Sequence, residues 1–145
     1  MHSQYRLSSF LIMKKICLLV TLLISLVAVK SNAQDRFATW QALGAFHTVM
    51  SETFHPAEKG QFDPIKQRSG EMVDKAALLE KSAIPAQFDK PEIRAALKTL
   101  KSKTTALNKI VLKKAKNEKI NAALVSVHDT FHEIVGLCTE DKESH

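Results

Sequence analysis

Between Asn117 and Leu137 the chain reads NEKINAALVSVHDTFHEIVGL. Ile120, Leu124, Val127, Phe131 and Ile134 recur at intervals of four and three, which places them on one face of an α-helix. No proline interrupts the stretch, and its one glycine, Gly136, falls at the end. A helix with a single apolar stripe is marginal alone in water and must bury that stripe against other elements.

The partners are legible upstream. Pro91 follows Asp89 and Lys90 and opens a third helix, along which Ile93, Leu97, Leu100, Thr104, Leu107 and Val111 repeat at three and four. A second helix opens at Asp63-Pro64, runs along Ile65, Met72, Ala76 and Leu79, and ends at Ile84-Pro85. A first helix spans about Asp35 to Phe54, with Asp35 as its cap and Pro56 as its stop. Its apolar line is Phe37, Trp40, Leu43, Met50 and Phe54, with His47 on the same line. The loop from Pro56 to Asp63 carries Gly60. No strand alternation competes. Short connections between long helices predict an all-α fold, an antiparallel up-down-up-down four-helix bundle with the first and fourth helices side by side.

A different segment precedes this domain. From Met13 the chain reads Lys14-Lys15, an apolar run from Ile16 to Val29, then Lys30-Ser-Asn-Ala33-Gln34. That is the pattern of a secretory signal peptide, with cleavage expected after Ala33. The run of fourteen residues, 16–29, is shorter than a membrane-spanning helix needs. Cys17 lies inside the run, which argues against a lipoprotein anchor. Residues 1–33 therefore divide into an upstream extension, 1–12, and the signal peptide, and residues 34–145 form the domain. The expected location is periplasmic or secreted.

Removing the leader changes the chemistry of what remains. The full chain has a formal charge of +6, but Arg6, Lys14, Lys15 and Lys30 leave with the leader, so the domain keeps 17 basic and 15 acidic residues. A nearly neutral domain is not a nucleic-acid binder by charge, and no membrane contact is expected once the leader is gone. The lysines from Lys98 to Lys119 alternate with apolar residues and read as a solvated helix face. Cys138 is the one cysteine left, so no disulfide can staple the fold. Its place at the end of the last stripe suits a buried structural thiol.

The domain has five histidines. His145 is terminal. His128 and His132 are four residues apart on the fourth helix, so both rings lie on one face and can share a divalent metal. His47 takes a seam position of the first helix, with Met50 three residues on. Antiparallel pairing would put the middle of the first helix level with the middle of the fourth. His47, His128 and His132 would then converge, with Met50 or an acidic residue as a fourth ligand. His55 joins only if the chain folds back at Pro56. Glu52, Glu58 and Glu71 are further carboxylate candidates. Imidazole suits zinc or copper, and a thioether tilts the choice toward copper.

The stretch Leu124-Val-Ser-Val-His128-Asp-Thr-Phe131-His132-Glu-Ile also resembles the last helix of the periplasmic b-type and c-prime-type four-helix cytochromes. The resemblance implies His132, beside Phe131, as a haem ligand, and Met50 of the first helix as the other axial ligand. The Cys-x-x-Cys-His motif of covalent attachment is missing, so any haem would be non-covalent.

Three functions follow as expectations. The leading one is an exported transition-metal-binding protein that uses a histidine cluster of the first and fourth helices. The others are an electron-transfer protein with non-covalent haem and a plain helical interaction domain. No nucleophile–base constellation marks an enzyme, and no catalytic residue is assigned. The expected partner is a metal ion, and the site can lie inside one chain or across a homodimer.

Overall fold

The computed structural model describes residues 36–138. The upstream extension, the signal peptide with its cleavage position, the expected cap Asp35 and the terminal His145 all lie outside the described residues.

The described residues form helices joined by turns, with no strand among them. Four long helices, α1 (Gln41–Glu58), α2 (Asp63–Lys81), α3 (Pro91–Leu112) and α4 (Asn117–Leu137), are joined by short connections, with one 3₁₀ turn at Ala86–Phe88. Each helix packs on the next, and α1 also meets α4, more sparsely. The stripes expected of α2, α3 and α4 are buried without exception: Ile65, Met72, Ala76 and Leu79; Ile93, Leu97, Leu100, Leu107, Val111 and Thr104; Ile120, Leu124, Val127, Phe131 and Ile134.

α1 departs from the expectation in three ways. It begins at Gln41, because Trp40 leaves helical geometry with φ −120 and ψ 85. Trp40 is instead turned inward, 2% exposed. Its indole Nε1 donates to Ser82 Oγ at 2.8 Å, and its ring lies 6.4 Å from that of Phe88. A buried indole N–H requires an acceptor, and Ser82 at the end of α2 supplies it. α1 also runs past Pro56 to Glu58. Proline's fixed φ suits a helix, and its missing N–H costs one bond in the last turn, on a face where Glu52 and His55 meet solvent. Finally, the inward face is Leu43, Phe46, Val49, Met50, Thr53, Phe54 and Ala57. His47 is exposed, one step of 100° beyond Phe46, so it lies at the outer edge of the seam and not on the buried line.

The two helix–helix turns use the same closing geometry with different residues. After α1, the Gly60 N–H donates to the Ala57 carbonyl at 2.9 Å and the Gln61 N–H to the Pro56 carbonyl at 3.0 Å. After α3, the Lys114 N–H donates to the Val111 carbonyl at 2.9 Å and the Ala115 N–H to the Ile110 carbonyl at 3.1 Å. Both are Schellman closures, which need one residue in the left-handed region. Gly60 takes it at φ 78, where a missing Cβ removes the steric penalty, whereas Lys114 takes it at φ 54 with a side chain attached.

Buried hydroxyls are satisfied locally or across helices. Thr53 Oγ1 donates to the Val49 carbonyl at 2.8 Å, and Ser69 Oγ to Asn108 Oδ1 at 2.9 Å. Lys103 Nζ reaches from α3 to Thr130 Oγ1 at 2.7 Å and the Ser126 carbonyl at 3.2 Å on α4. Glu80 accepts from Lys101 at 2.6 Å, joining α2 to α3.

The two turns make a paired prediction. Gly60→Ala is expected to lower stability by about 1 kcal/mol, the order of an L residue forced into left-handed geometry. Lys114→Gly is expected to raise it by somewhat less, since glycine also loosens the unfolded chain. Thermal melts of the two variants beside the parent check both signs.

Candidate functional site

The histidines line the sparse α1–α4 seam on its outer side. Phe131 is 2% exposed and packs its ring 5.3 Å from that of Phe46, which fixes the rotation of α4. His128 and His132, one turn apart, are thereby carried to the flank of the buried stripe. His128 is half-buried and His132 exposed. Their Nε2 atoms face each other at 3.1 Å, so one imidazole donates and the other accepts. The His128 ring lies flat on Phe54 of α1, centroids 3.8 Å apart and planes within 4°. Asp129 Oδ1 lies 3.7 Å from His128 Nδ1, too far for a hydrogen bond but close enough to favour a proton there.

His47 stands beside this pair on α1. Its ring is nearly parallel to Phe37, at 4.6 Å and 10°, and to Phe131, at 5.7 Å and 19°. Phe37 reaches it because the helical turn at 36–39 folds against α1 at Gly44. A Cβ on Gly44 would meet the Phe37 carbonyl oxygen at 3.2 Å. Phe37 falls on the apolar line of the first helix, but its stacking on His47 depends on the break at Trp40, which no local pattern announces.

The remaining candidates are placed elsewhere. His55 is exposed and its Nδ1 lies 3.0 Å from Glu58 Oε2, so these two engage each other. Glu52 and Glu71 both accept from Arg68, at 2.6 and 2.7 Å. Met50 is 2% exposed and belongs to the core. Cys138 is half-buried at the end of α4. Among the described residues, no group of three or more His, Cys, Asp and Glu side chains is gathered closely enough to hold a metal ion. The arrangement supplies two histidine nitrogens at ligand spacing, with a third imidazole on the facing helix.

The electrostatics favour the neutral form of two of these rings. Burial, then repulsion from His132, lowers the His128 pKa below 6.5, against an opposing pull from Asp129. Burial also lowers that of His47, followed by the charges of His132 and His55. His47 is exposed as a residue, but its ring face is covered by Phe37, and the imidazole is what desolvation acts on. Neutral imidazole is the form that can ligate a metal.

Compared with known proteins, the chain matches no family model, no curated protein and no solved structure. The likeness to the four-helix cytochromes therefore stands on its residues alone.

The lowered pKa values couple stability to pH. Unfolded histidine titrates near 6.5, and both rings titrate lower when folded. The unfolded chain thus takes up protons first as pH falls, so their contribution is complete above 6.5 and is lost as pH drops through the folded values. With a chelator present, the urea midpoint is expected to fall between about pH 7 and pH 5, and to fall less in the His47→Asn/His128→Asn variant.

Proposed function

We propose that the chain is an exported transition-metal-binding protein whose site is built on His128 and His132 of α4, with His47 of α1 as the next donor. The observation that carries this reading is the 3.1 Å separation of the two Nε2 atoms. Two nitrogens bound to one tetrahedral ion at about 2.0–2.1 Å lie about 3.3 Å apart. The pair thus needs little more than exchange of its shared proton for a metal. The Phe54 face against His128 limits the ring's freedom, so less entropy is lost on binding.

His47 supports the reading by position. His47 and His132 both border Phe131, with ring centroids 5.7 and 6.4 Å from its own, and His132 is near enough for its charge to act on His47. A rotation of its side chain away from Phe37 would bring a third nitrogen toward the pair, inside one chain. Zinc or copper fits imidazole ligation. Met50, buried in the core, does not supply the thioether that favoured copper, and water can complete the coordination of so open a site.

The domain is proposed to be an up-down-up-down antiparallel bundle. Supporting this, Trp40 before α1 bonds Ser82 after α2, Lys90 before α3 bonds the Leu137 carbonyl at the end of α4, and Glu52 in the second half of α1 bonds Arg68 in the first half of α2. Export rests on the leader pattern of residues 13–34. Among the described residues, no helix is long and apolar enough to cross a membrane.

Non-covalent haem is the second reading, favoured by the stacked rings of Phe37, His47 and Phe131 at the seam. It asks Met50 and His132 to flank one iron, although the first is enclosed in the core and the second faces solvent.

Zinc and copper titrations followed by calorimetry test the metal site. His128→Ala and His132→Ala are each expected to weaken binding about tenfold or more, a loss that even outer-shell changes reach at metal sites. His47→Ala is expected to lose less. Unchanged affinity in both α4 variants would sink the reading. A Soret band on haem reconstitution that disappears in His132→Ala would replace it with the second.

A further inference from the structure

The turn between α3 and α4 concentrates charge of one sign. Lys109, Lys113, Lys114, Lys116 and Lys119 are all exposed there. From Lys98 to Lys119 the sole acidic residue is Glu118. Among the described residues, none of these five lysines enters an ion pair.

Solvation alone does not account for the arrangement. Lys114 occupies the left-handed position of the Schellman closure, at φ 54, where the equivalent turn after α1 uses Gly60. A lysine there carries a backbone penalty that glycine would remove. Lys116 caps α4, and Lys119 sits in its first turn. The positive end of the helix dipole disfavours cations at that terminus. Leu112, in the midst of these lysines, is 74% exposed, the highest exposure among the three large exposed hydrophobics, Leu78, Leu112 and Val125. Closing the turn does not require it, because Ile110 and Ala115 make the partly buried apolar contact with the core. Four residues at one turn, Lys114, Lys116, Lys119 and Leu112, thus work against local stability or solubility, and each adds positive charge or apolar reach.

We propose that the α3–α4 turn is a docking point for an anionic lipid surface, with the lysines drawn to the headgroups and Leu112 inserted between them. A tight turn between two helices projects from the fold and encloses nothing, so it suits a flat surface better than a small ligand. Each lysine close to an anionic bilayer contributes about fivefold in affinity. An exposed leucine gains by burial in the acyl boundary. A binding surface for nucleic acid would use the lysines against phosphates and leave the leucine without a role. The surface does not involve His128, His132 or His47, so it holds or fails independently of the metal reading.

Co-sedimentation of the full chain with vesicles tests this, using phosphatidylglycerol with phosphatidylethanolamine against phosphatidylcholine alone. The apolar leader segment is common to every variant, so the readout is the change between variants. Lys113→Gln/Lys116→Gln is expected to weaken binding to the anionic vesicles by about 25-fold at low salt, two lysines' worth. Added salt should shrink the gap. Leu112→Gln is expected to weaken it about tenfold. Lys114→Gly should bind the vesicles more weakly while melting higher, a pairing that a purely structural lysine would not produce. Equal binding of parent and lysine variants overturns the proposal. So does retention on a nucleic-acid column that depends on the same lysines without any effect on vesicle binding.

Discussion

Burial of Phe131 against Phe46 sets the rotation of α4 about its own axis, and most of what is distinctive in the molecule depends on it. Removing an aromatic ring from water contributes roughly 1.5–3 kcal/mol, far more than any exposed histidine contact. The ring's position therefore dictates where the histidines point. With Phe131 directed inward, His128 and His132 fall on the flank of the stripe, close enough to α1 for His128 to lie on Phe54. A rotation of one residue would bury His132 and expose the core.

The same seam is sparser than the three contacts between helices consecutive in the chain. Those three are tied by polar bonds across them: Trp40 to Ser82, Ser69 to Asn108, and Lys103 to Thr130. α1, with Phe37 of the turn before it, meets α4 through rings instead: Phe37, Phe46, His47, Phe54, His128 and Phe131. Ring contacts tolerate small slides and rotations that hydrogen bonds resist, which suits the proposed site, whose third donor would turn toward the other two.

Stability and proposed function pull apart at two places. Two imidazoles held at 3.1 Å repel when protonated, and a ring covered by phenylalanine prefers to stay neutral. Both effects favour a ligand over a proton-carrying base. At the α3–α4 turn, Lys114 takes a backbone conformation that Gly60 takes without strain, and lysines crowd the wrong end of α4. Each is a local cost without a local return, which directs attention to something outside the chain.

Periodicity alone located α2, α3 and α4 and their buried faces, because a repeat of three and four leaves one choice of inward side. It also paired His128 with His132, since four residues on a helix is a fixed geometry. For α1 the pattern was ambiguous. Trp40, Leu43, His47, Met50 and Phe54 make as regular a line as Leu43, Phe46, Met50, Phe54 and Ala57, and only packing against α2 and α4 separates them. The tertiary structure chose the second, turned Trp40 toward Ser82, broke the helix there and left His47 on the surface beneath Phe37. It also enclosed Met50 in the core and occupied Glu52 and Glu71 with Arg68. Those outcomes depend on contacts between residues far apart in the chain, and local spacing carries no information about them.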